Sequence, residues 1–303
     1  MTRPLKVGVQ LPEVEREVRW PELREMAQVA EQVGFDSLWV GDHLLFRDPD
    51  IPPRGPWEAW SVLAALAAVT KRVELGPLVA SVSFHNPAVL AKKAAAIDEI
   101  SGGRLILGLG AGWNEAEYRA FGFPFDHRVE RFEEALTIIR GLLRGGEVSF
   151  TGRYHRVDDC VLLPPLVRSG GPPVMVGTMG PRMLRLAVRY ADAWNAWFTW
   201  FGNRSEGIAR LREQVDAACV AAGRDPSTLA RTAAVLVQLE EGEVARRGGG
   251  QEKVPPLRGS AEELAGHLRA FAAEGIAHVQ LVIDPITVRS IERLGQVLRA
   301  LSC

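Results

Sequence analysis

The sequence predicts a (β/α)8 TIM barrel, and three observations carry that prediction. A short apolar strand, a polar loop, an amphipathic helix and a glycine recur in strict alternation, eight units in all. Two distant segments repeat the same grammar: AEQVGFDSLWVGD and AAEGIAHVQLVID both read helix end, glycine, buried strand and terminal aspartate. The 303 residues, 47% apolar and 24% charged, are enough for one barrel with a sizeable core, and 1–303 reads as a single domain. A doubly wound open sheet is the competing arrangement.

Each unit is legible in turn. Val7–Gln10 is the first strand; Pro21 opens a helix with Leu23, Met26, Ala30 and Val33 on its inner face, and Gly34 ends it. Ser37–Val40 is the second strand, 57–70 the second helix and 73–78 the third strand. Asn86 is a good N-cap, Pro87 occupies the first helical position where its missing N–H costs nothing, and Gly102-Gly103 supplies a left-handed stop. Leu105–Leu107 is a continuously apolar strand, followed by the alternating Gly108, Gly110 and Gly112 and then Trp113, Asn114 and Glu115. The stretch AEYRAFGFPFDHR reads as loop, and 128–144 as the fourth helix.

An insertion at about 145–172 follows, with a hairpin over 148–157 turning at Thr151-Gly152. Strands at 174–176, 193–196, 233–239 and 278–283 alternate with helices opening at Pro181, ending at Gly223, starting at the Ser260-x-x-Glu263 capping box, and closing the chain. Residues 240–258 are polar and glycine-rich, which predicts a mobile loop.

Composition narrows the function. A net charge of −1, with basic and acidic residues interspersed, provides no field for nucleic acid. Cys160, Cys219 and Cys303 are far apart and lack metal spacing, which fits reduced thiols in a cytoplasmic protein. No apolar run reaches membrane-spanning length, and no signal-type segment opens the chain. The histidines show no HxH or HxxxH pattern, so no metal site is expected.

In a barrel the chemistry sits just beyond the C-terminal ends of the strands. That filter selects Gln10, the pair Asp42 and His43, Pro77, Ala80 and Ser81, Asn114 and Glu115, the loop Gly177-Thr178-Met179-Gly180, and Trp194 and Asn195. An imidazole exchanges protons near neutral pH and a neighbouring carboxylate tunes it, so Asp42 and His43 form the best chemical pair; a turn cap beside a packed ring is the plainer reading. The glycines at Gly108, Gly110 and Gly112 leave bare backbone against which a flat ring could lie, although a structural turn uses the same residues, and the helix-and-acid pattern of a dinucleotide site is missing. Gly177–Gly180, with Arg182 beyond Pro181, combines a helix start, a hydroxyl and a guanidinium, as a phosphate cradle does; a tight βα turn is the alternative.

Five segments in matching order carry a resemblance: GFDSLWVGDH, HNPAVLAKKAAAIDEISGGRLILGLGAGWNEAEYRAFG, RFEEALTIIRGL with TGRYHRV, GTMGPRMLRLAVRYADAWN, and LRGSAEELAGHLRAFAAEGIAHVQL. The chain resembles the bacterial luciferase-like monooxygenase family, and most of all its branch dependent on the deazaflavin coenzyme F420. The resemblance implies F420, or alternatively FMN, bound with Asp42 and His43 near the reactive ring, Asn114 helping to hold it over the Gly110 floor already read from the glycines, and Gly177, Thr178, Met179, Gly180 and Arg182 on its phosphate. It also implies a cis non-proline peptide at Pro77-Leu78 behind the ring and a glutamate proton donor, for which Glu115 is the candidate. Leu44 stands where some sugar-phosphate members have tryptophan. The activity expected is hydride transfer between F420 and a small organic substrate; an FMN monooxygenase and a non-catalytic cofactor binder are the alternatives. A homodimer is expected, and the Trp197, Phe198, Trp200 and Phe201 cluster suits either a substrate pocket or a subunit interface.

Overall fold

The computed structural model describes residues 3–49, 51–241 and 254–302. Its central sheet is parallel throughout, in the order β3-β2-β1-β11-β10-β9-β8-β5-β4. The members are β1 (Lys6–Gln10), β2 (Ser37–Val40), β3 (Glu74–Pro77), β4 (Ala80–Ser81), β5 (Leu107–Gly110), β8 (Val174–Gly177), β9 (Ala193–Ala196), β10 (Ala230–Gln238) and β11 (His278–Asp284). A bridge between Leu75 and Leu105 closes the ring between β3 and the approach to β5. Nine strands occupy eight barrel positions because the third is broken: β3 and β4 flank a bulge whose Leu78–Val79 peptide is cis. The cis bond therefore lies one residue later than the expected Pro77-Leu78.

Helices α1 (Trp20–Val33), α2 (Ala59–Val69), α3 (Pro87–Ser101), α5 (Arg128–Leu143), α6 (Pro181–Tyr190), α7 (Ser205–Ala221), α8 (Ala261–Ala273) and α9 (Val288–Leu301) surround the sheet. Their ends follow the local chemistry. Asn86 accepts hydrogen bonds from the Ala88 and Val89 N–H groups at the start of α3, and Gly102 ends it in the left-handed region at φ 68°. The Ser260/Glu263 capping box is present in both directions. Within α3, fully buried Asp98 receives the Arg168 guanidinium, which fastens the insertion to the barrel. Removing Arg168 would leave the buried Asp98 charge uncompensated, a loss on the order of 3 kcal/mol. The insertion carries the antiparallel hairpin β6 (Val148–Thr151) and β7 (Arg156–Cys160).

Two readings of the sequence change. Residues 115–121, taken as loop, form a short helix α4 (Glu115–Phe121). The strand expected at Leu105–Leu107 is displaced to Leu107–Gly110, so Gly108 and Gly110 belong to the strand itself. Most of the expected mobile loop lies outside the described residues; at its described end Leu257 forms a parallel bridge to Val237 of β10.

Several polar side chains pair with one another inside the barrel. The Trp39 indole N–H donates to Ser37 Oγ at 2.7 Å, and the Ser37 hydroxyl lies 2.7 Å from Nε2 of His278. Higher up, Asn195 Nδ2 donates to Thr232 Oγ1 and to Gln280 Oε1, both at 2.8 Å. Each of these side chains is buried, so such internal pairing is required.

Candidate active site

At the C-terminal ends of the strands lies a cavity of about 730 Å³, lined by Gln10, Glu13, Asp42, His43, Leu78, Val79, Gly110, Trp113, Glu117, Arg128, the 177–180 loop, Asn195, Trp197 and Trp200 among others. Its position follows from the fold, because the loops after β1, β2, β5, β8 and β9 converge there. Among the described residues no group of three or more His, Cys, Asp or Glu side chains is placed to hold a metal ion.

His43 stands in the wall with both ring nitrogens addressed. Its Nδ1 is 2.8 Å from Glu117 Oε1, and its Nε2 is 3.9 Å from Glu13 Oε1. Glu117 is only 1% exposed, and its second oxygen accepts from the backbone N–H groups of Leu44 and Leu45. Glu117 accordingly clamps the loop that carries His43 and accepts the Nδ1 proton, leaving Nε2 as the nitrogen able to exchange a proton. Burial is the largest single influence on His43 and opposes its charge. The Glu13 carboxylate, then the hydrogen bond and charge of Glu117, and last Asp42 outweigh it together, so the imidazole pKa is raised above its ordinary value.

Asp42 serves a different neighbour from the one its sequence position suggests. Its Oδ2 accepts from the Ser81 backbone N–H at 2.9 Å and lies 3.0 Å from His85 Nε2. Toward His43 it acts only through its charge.

The glycines are emptied for the protein's own chain. A Cβ on Gly110 would come within 2.7 Å of Val79 Cγ2, one on Gly177 within 3.1 Å of the same atom, and one on Gly108 within 2.1 Å of the Pro77 carbonyl oxygen. Val79, just beyond the cis peptide, thus inserts between β5 and β8, and with Leu78 it lines the cavity. A ligand here meets the Leu78–Val79 bulge as well as bare backbone.

Of the twelve residues assigned from sequence to catalysis or to the cofactor, His43, Asp42, Leu78, Gly110, Gly177, Thr178, Met179 and Gly180 line the cavity. Four others do not. Pro77 lies beneath the bulge in β3, and Asn114 turns its amide to the Leu45 carbonyl at 3.0 Å. Glu115 is exposed at the first position of α4, whereas Glu117, two residues or about 200° around the helix, is the one facing His43. Arg182 also points outward, and its guanidinium donates to Glu130 and Glu133 on α5.

The guanidinium at the cavity belongs instead to Arg128, the first residue of α5, held by the Gly112 carbonyl at 2.7 Å and lying 4.0 Å over the Phe125 ring. Glu13, Val79, Glu117 and Arg128 all escaped the sequence reading. Only Glu117 left a signal: Asn114-x-x-Glu117 has the spacing of a helix start. The aromatic cluster after β9 divides, with Phe198 and Phe201 buried in the core and Trp197 and Trp200 lining the cavity.

The donor set fits a phosphorylated ring cofactor. Gly180 caps α6, Thr178 is buried with its carbonyl held by the Trp194 indole N–H at 2.7 Å, and Arg128 adds a positive charge. Helix starts with such neighbours bind anions.

Known proteins resemble this chain in sequence and in fold. The family model described as luciferase-like monooxygenase matches residues 6–248. An F420-dependent hydroxymycolic acid dehydrogenase of Mycobacterium tuberculosis is 33% identical over 249 residues, 80% of this chain and 66% of that protein. A phthiodiolone/phenolphthiodiolone dimycocerosates ketoreductase of Mycobacterium bovis is 34% identical over 224 residues, 68% of this chain and 58% of its own length. The matched stretch thus spans less than two thirds of these relatives. Among solved structures, an F420-dependent secondary alcohol dehydrogenase in complex with an F420-acetone adduct superposes with a TM-score of 0.82 at 22% identity, covering 98% of this chain and 99% of that one. The monooxygenase RslO1 from Streptomyces bottropensis gives 0.79 at 21% identity, covering 99% and 100%. The two structures support the barrel alone; together with the family match over most of the chain, they lead to one conclusion, that this protein belongs to the luciferase-like monooxygenase family.

Proposed function

We propose that this protein is an oxidoreductase that moves a hydride between F420 and a neutral organic alcohol or carbonyl compound. The observation that carries the reading is His43, held between Glu117 and Glu13 in the wall of a cavity that also contains an anion-binding loop and Arg128. Thr178, Met179, Gly180 and Arg128 would hold the cofactor phosphate, and Leu78, Val79 and Gly110 would support its ring. When bound, the deazaflavin supplies a ring carbon that gives or takes hydride. The chain supplies the proton chemistry. Glu117 fixes the ring of His43, and Nε2 accepts the hydroxyl proton of an alcohol or returns one to a carbonyl oxygen. Trp113, Trp197, Trp200 and Met179 give the cavity an apolar mouth that suits a substrate with an apolar body.

The name of the hydroxymycolic acid dehydrogenase supports F420, and FMN is the alternative. A fluorescence titration tests the choice: F420 is expected to bind at least tenfold more tightly than FMN. Tighter FMN binding with consumption of oxygen replaces this reading by a monooxygenase. His43→Ala is expected to lower turnover by about 10²-fold while cofactor affinity stays near the wild-type value.

The reading extends to a cytoplasmic homodimer. The free thiols Cys160 and Cys219 suit a reducing compartment. The apolar Val89 and Ile100, both about half exposed on α3, offer a surface for a second copy. Light scattering of the purified protein checks the dimer. Among the described residues no helix is long and apolar enough to cross a membrane.

A further inference from the structure

Asp42 lines the cavity with its side chain only 2% exposed, yet among the described residues it has no guanidinium or ammonium partner. Both of its protein hydrogen bonds converge on one oxygen, Oδ2, from Ser81 N–H at 2.9 Å and from His85 Nε2 at 3.0 Å. The other oxygen, Oδ1, has no partner among the described residues. An ionised carboxylate oxygen without a protein donor is satisfied only from the space it opens on, and for Asp42 that space is the cavity it lines. Asp42 is therefore held from behind.

His85 is built for that grip. It ends a single turn of 3-10 helix (Val82–Phe84), directly before the Asn86 cap of α3, and its ring is packed edge-on by Trp60 and Phe84. The Trp60 indole N–H approaches the same Nε2, at 3.2 Å. The two contacts compete, because a nitrogen that donates its proton to Asp42 has no lone pair left for the indole. A hydrogen bond to an ionised carboxylate is roughly twice as strong as one between neutral groups, so Nε2–H faces Asp42 and the indole remains as packing.

We propose that His85 is a positioning residue: it fixes Asp42 so that Oδ1 faces the cavity as an acceptor for an N–H or O–H group of the bound cofactor. The proposal rests on the reading of the cavity as a cofactor site. It assigns a binding role to a histidine outside the cavity lining, and it gives the Asp42-His43 sequence pair two separate tasks, with Asp42 backed by His85 and His43 by Glu117.

The test compares wild type, His85→Leu, His85→Gln, Asp42→Ala and the double variant Asp42→Ala/His85→Leu. Dissociation constants are read from quenching of oxidised F420 fluorescence, and again with FMN. His85→Leu is expected to weaken the cofactor about tenfold, the scale of one charge-assisted hydrogen bond. His85→Gln, whose amide nitrogen can replace Nε2 as donor, should stay within about threefold of wild type. His85→Leu should add nothing in the Asp42→Ala background. Loss in His85→Gln equal to that in His85→Leu, or a full additive loss in the double variant, overturns the proposal. A crystal structure of cofactor-free His85→Leu decides independently of any cofactor: a reoriented Asp42 carboxylate supports the positioning role, and an unchanged one overturns it. If wild type binds FMN in place of F420, the choice of cofactor fails while the same comparison, read with FMN, still judges His85.

Discussion

Replacing Glu117 by glutamine tests the proton chemistry most sharply, because the change is isosteric and its consequence can be worked through donor by donor. Glu117 accepts three hydrogen bonds, one oxygen serving His43 Nδ1 at 2.8 Å and the other serving Leu44 N–H at 2.9 Å and Leu45 N–H at 3.3 Å. Glutamine has one oxygen and one NH₂. With the NH₂ against the backbone pair, two donors lose their acceptor, at about 1–3 kcal/mol each. With the oxygen kept there, the NH₂ faces His43, and only the imidazole must adjust. The second arrangement is favoured, and it forces Nδ1 to become the acceptor. The neutral ring then carries its proton on Nε2, and the nitrogen that should accept from the substrate is blocked.

The expected loss in kcat/KM is about 10²-fold or more at neutral pH, on the scale of a positioned acid–base group, with the F420 dissociation constant changed less than threefold. The loss should be the same for alcohol oxidation and carbonyl reduction, since at fixed pH the equilibrium constant ties the two directions together. The charge of Glu117 is one of the influences that raise the His43 pKa. In wild type, alcohol oxidation should therefore rise with pH through a value above the ordinary imidazole range, as the ring loses its proton, and the residual rate of the variant should rise at lower pH. Nitrogen chemical shifts of His43 report the tautomer directly. A variant that keeps the Nδ1 proton and turns over within threefold of wild type would refute the reasoning.

Three further outcomes are expected. Arg128→Gln should weaken cofactor binding about tenfold by removing a charge-assisted contact, whereas Arg182→Gln should leave it within twofold, because that guanidinium is exposed and engaged with Glu130 and Glu133; the reverse order returns the phosphate to Arg182. Gly177→Val places a branched side chain where even a Cβ lies 3.1 and 3.3 Å from the Val79 methyls. It should cost about 1–3 kcal/mol of stability in urea unfolding together with at least tenfold in cofactor affinity, and stability without affinity loss would make the 177–180 loop a plain turn. His278 is buried, and its pKa falls from 6.5 to about 3, with burial the main cause and Lys6 a second. The unfolded chain therefore binds a proton that the folded chain refuses. Stability should decline as pH drops below 6.5, by up to about 2 kcal/mol at pH 5, and His278→Gln should flatten that slope; an unchanged slope would assign it to other groups.

The barrel was legible from sequence because its signals are local. Apolar runs such as Ser37–Val40, the Asn86-Pro87 helix start, the Gly102 stop and the Ser260/Glu263 box depend on residues a few positions apart, and the structure places each where those rules put it. The rim positions were legible for a similar reason, since a strand end identifies the loop that reaches the cavity, and Asp42, His43 and Gly177–Gly180 all lie there. What sequence could not supply was partnership. Asp42 and His43 are neighbours in the chain, but their hydrogen bonds run to His85 and Glu117, 43 and 74 residues away. Gly110 reads as room for a ring and Gly177 as part of a phosphate cradle, and each also makes room for Val79 across the barrel. Arg182 carried the right charge at the right helix start, but the direction of its side chain was set by two glutamates on the adjacent α5, and the same helix turned Arg128 toward the cavity. Periodicity and capping fix where a backbone goes; which side chains meet is decided only when distant segments are packed around one barrel, because hydrogen bonds and steric contacts act over a few ångströms of space regardless of separation along the chain.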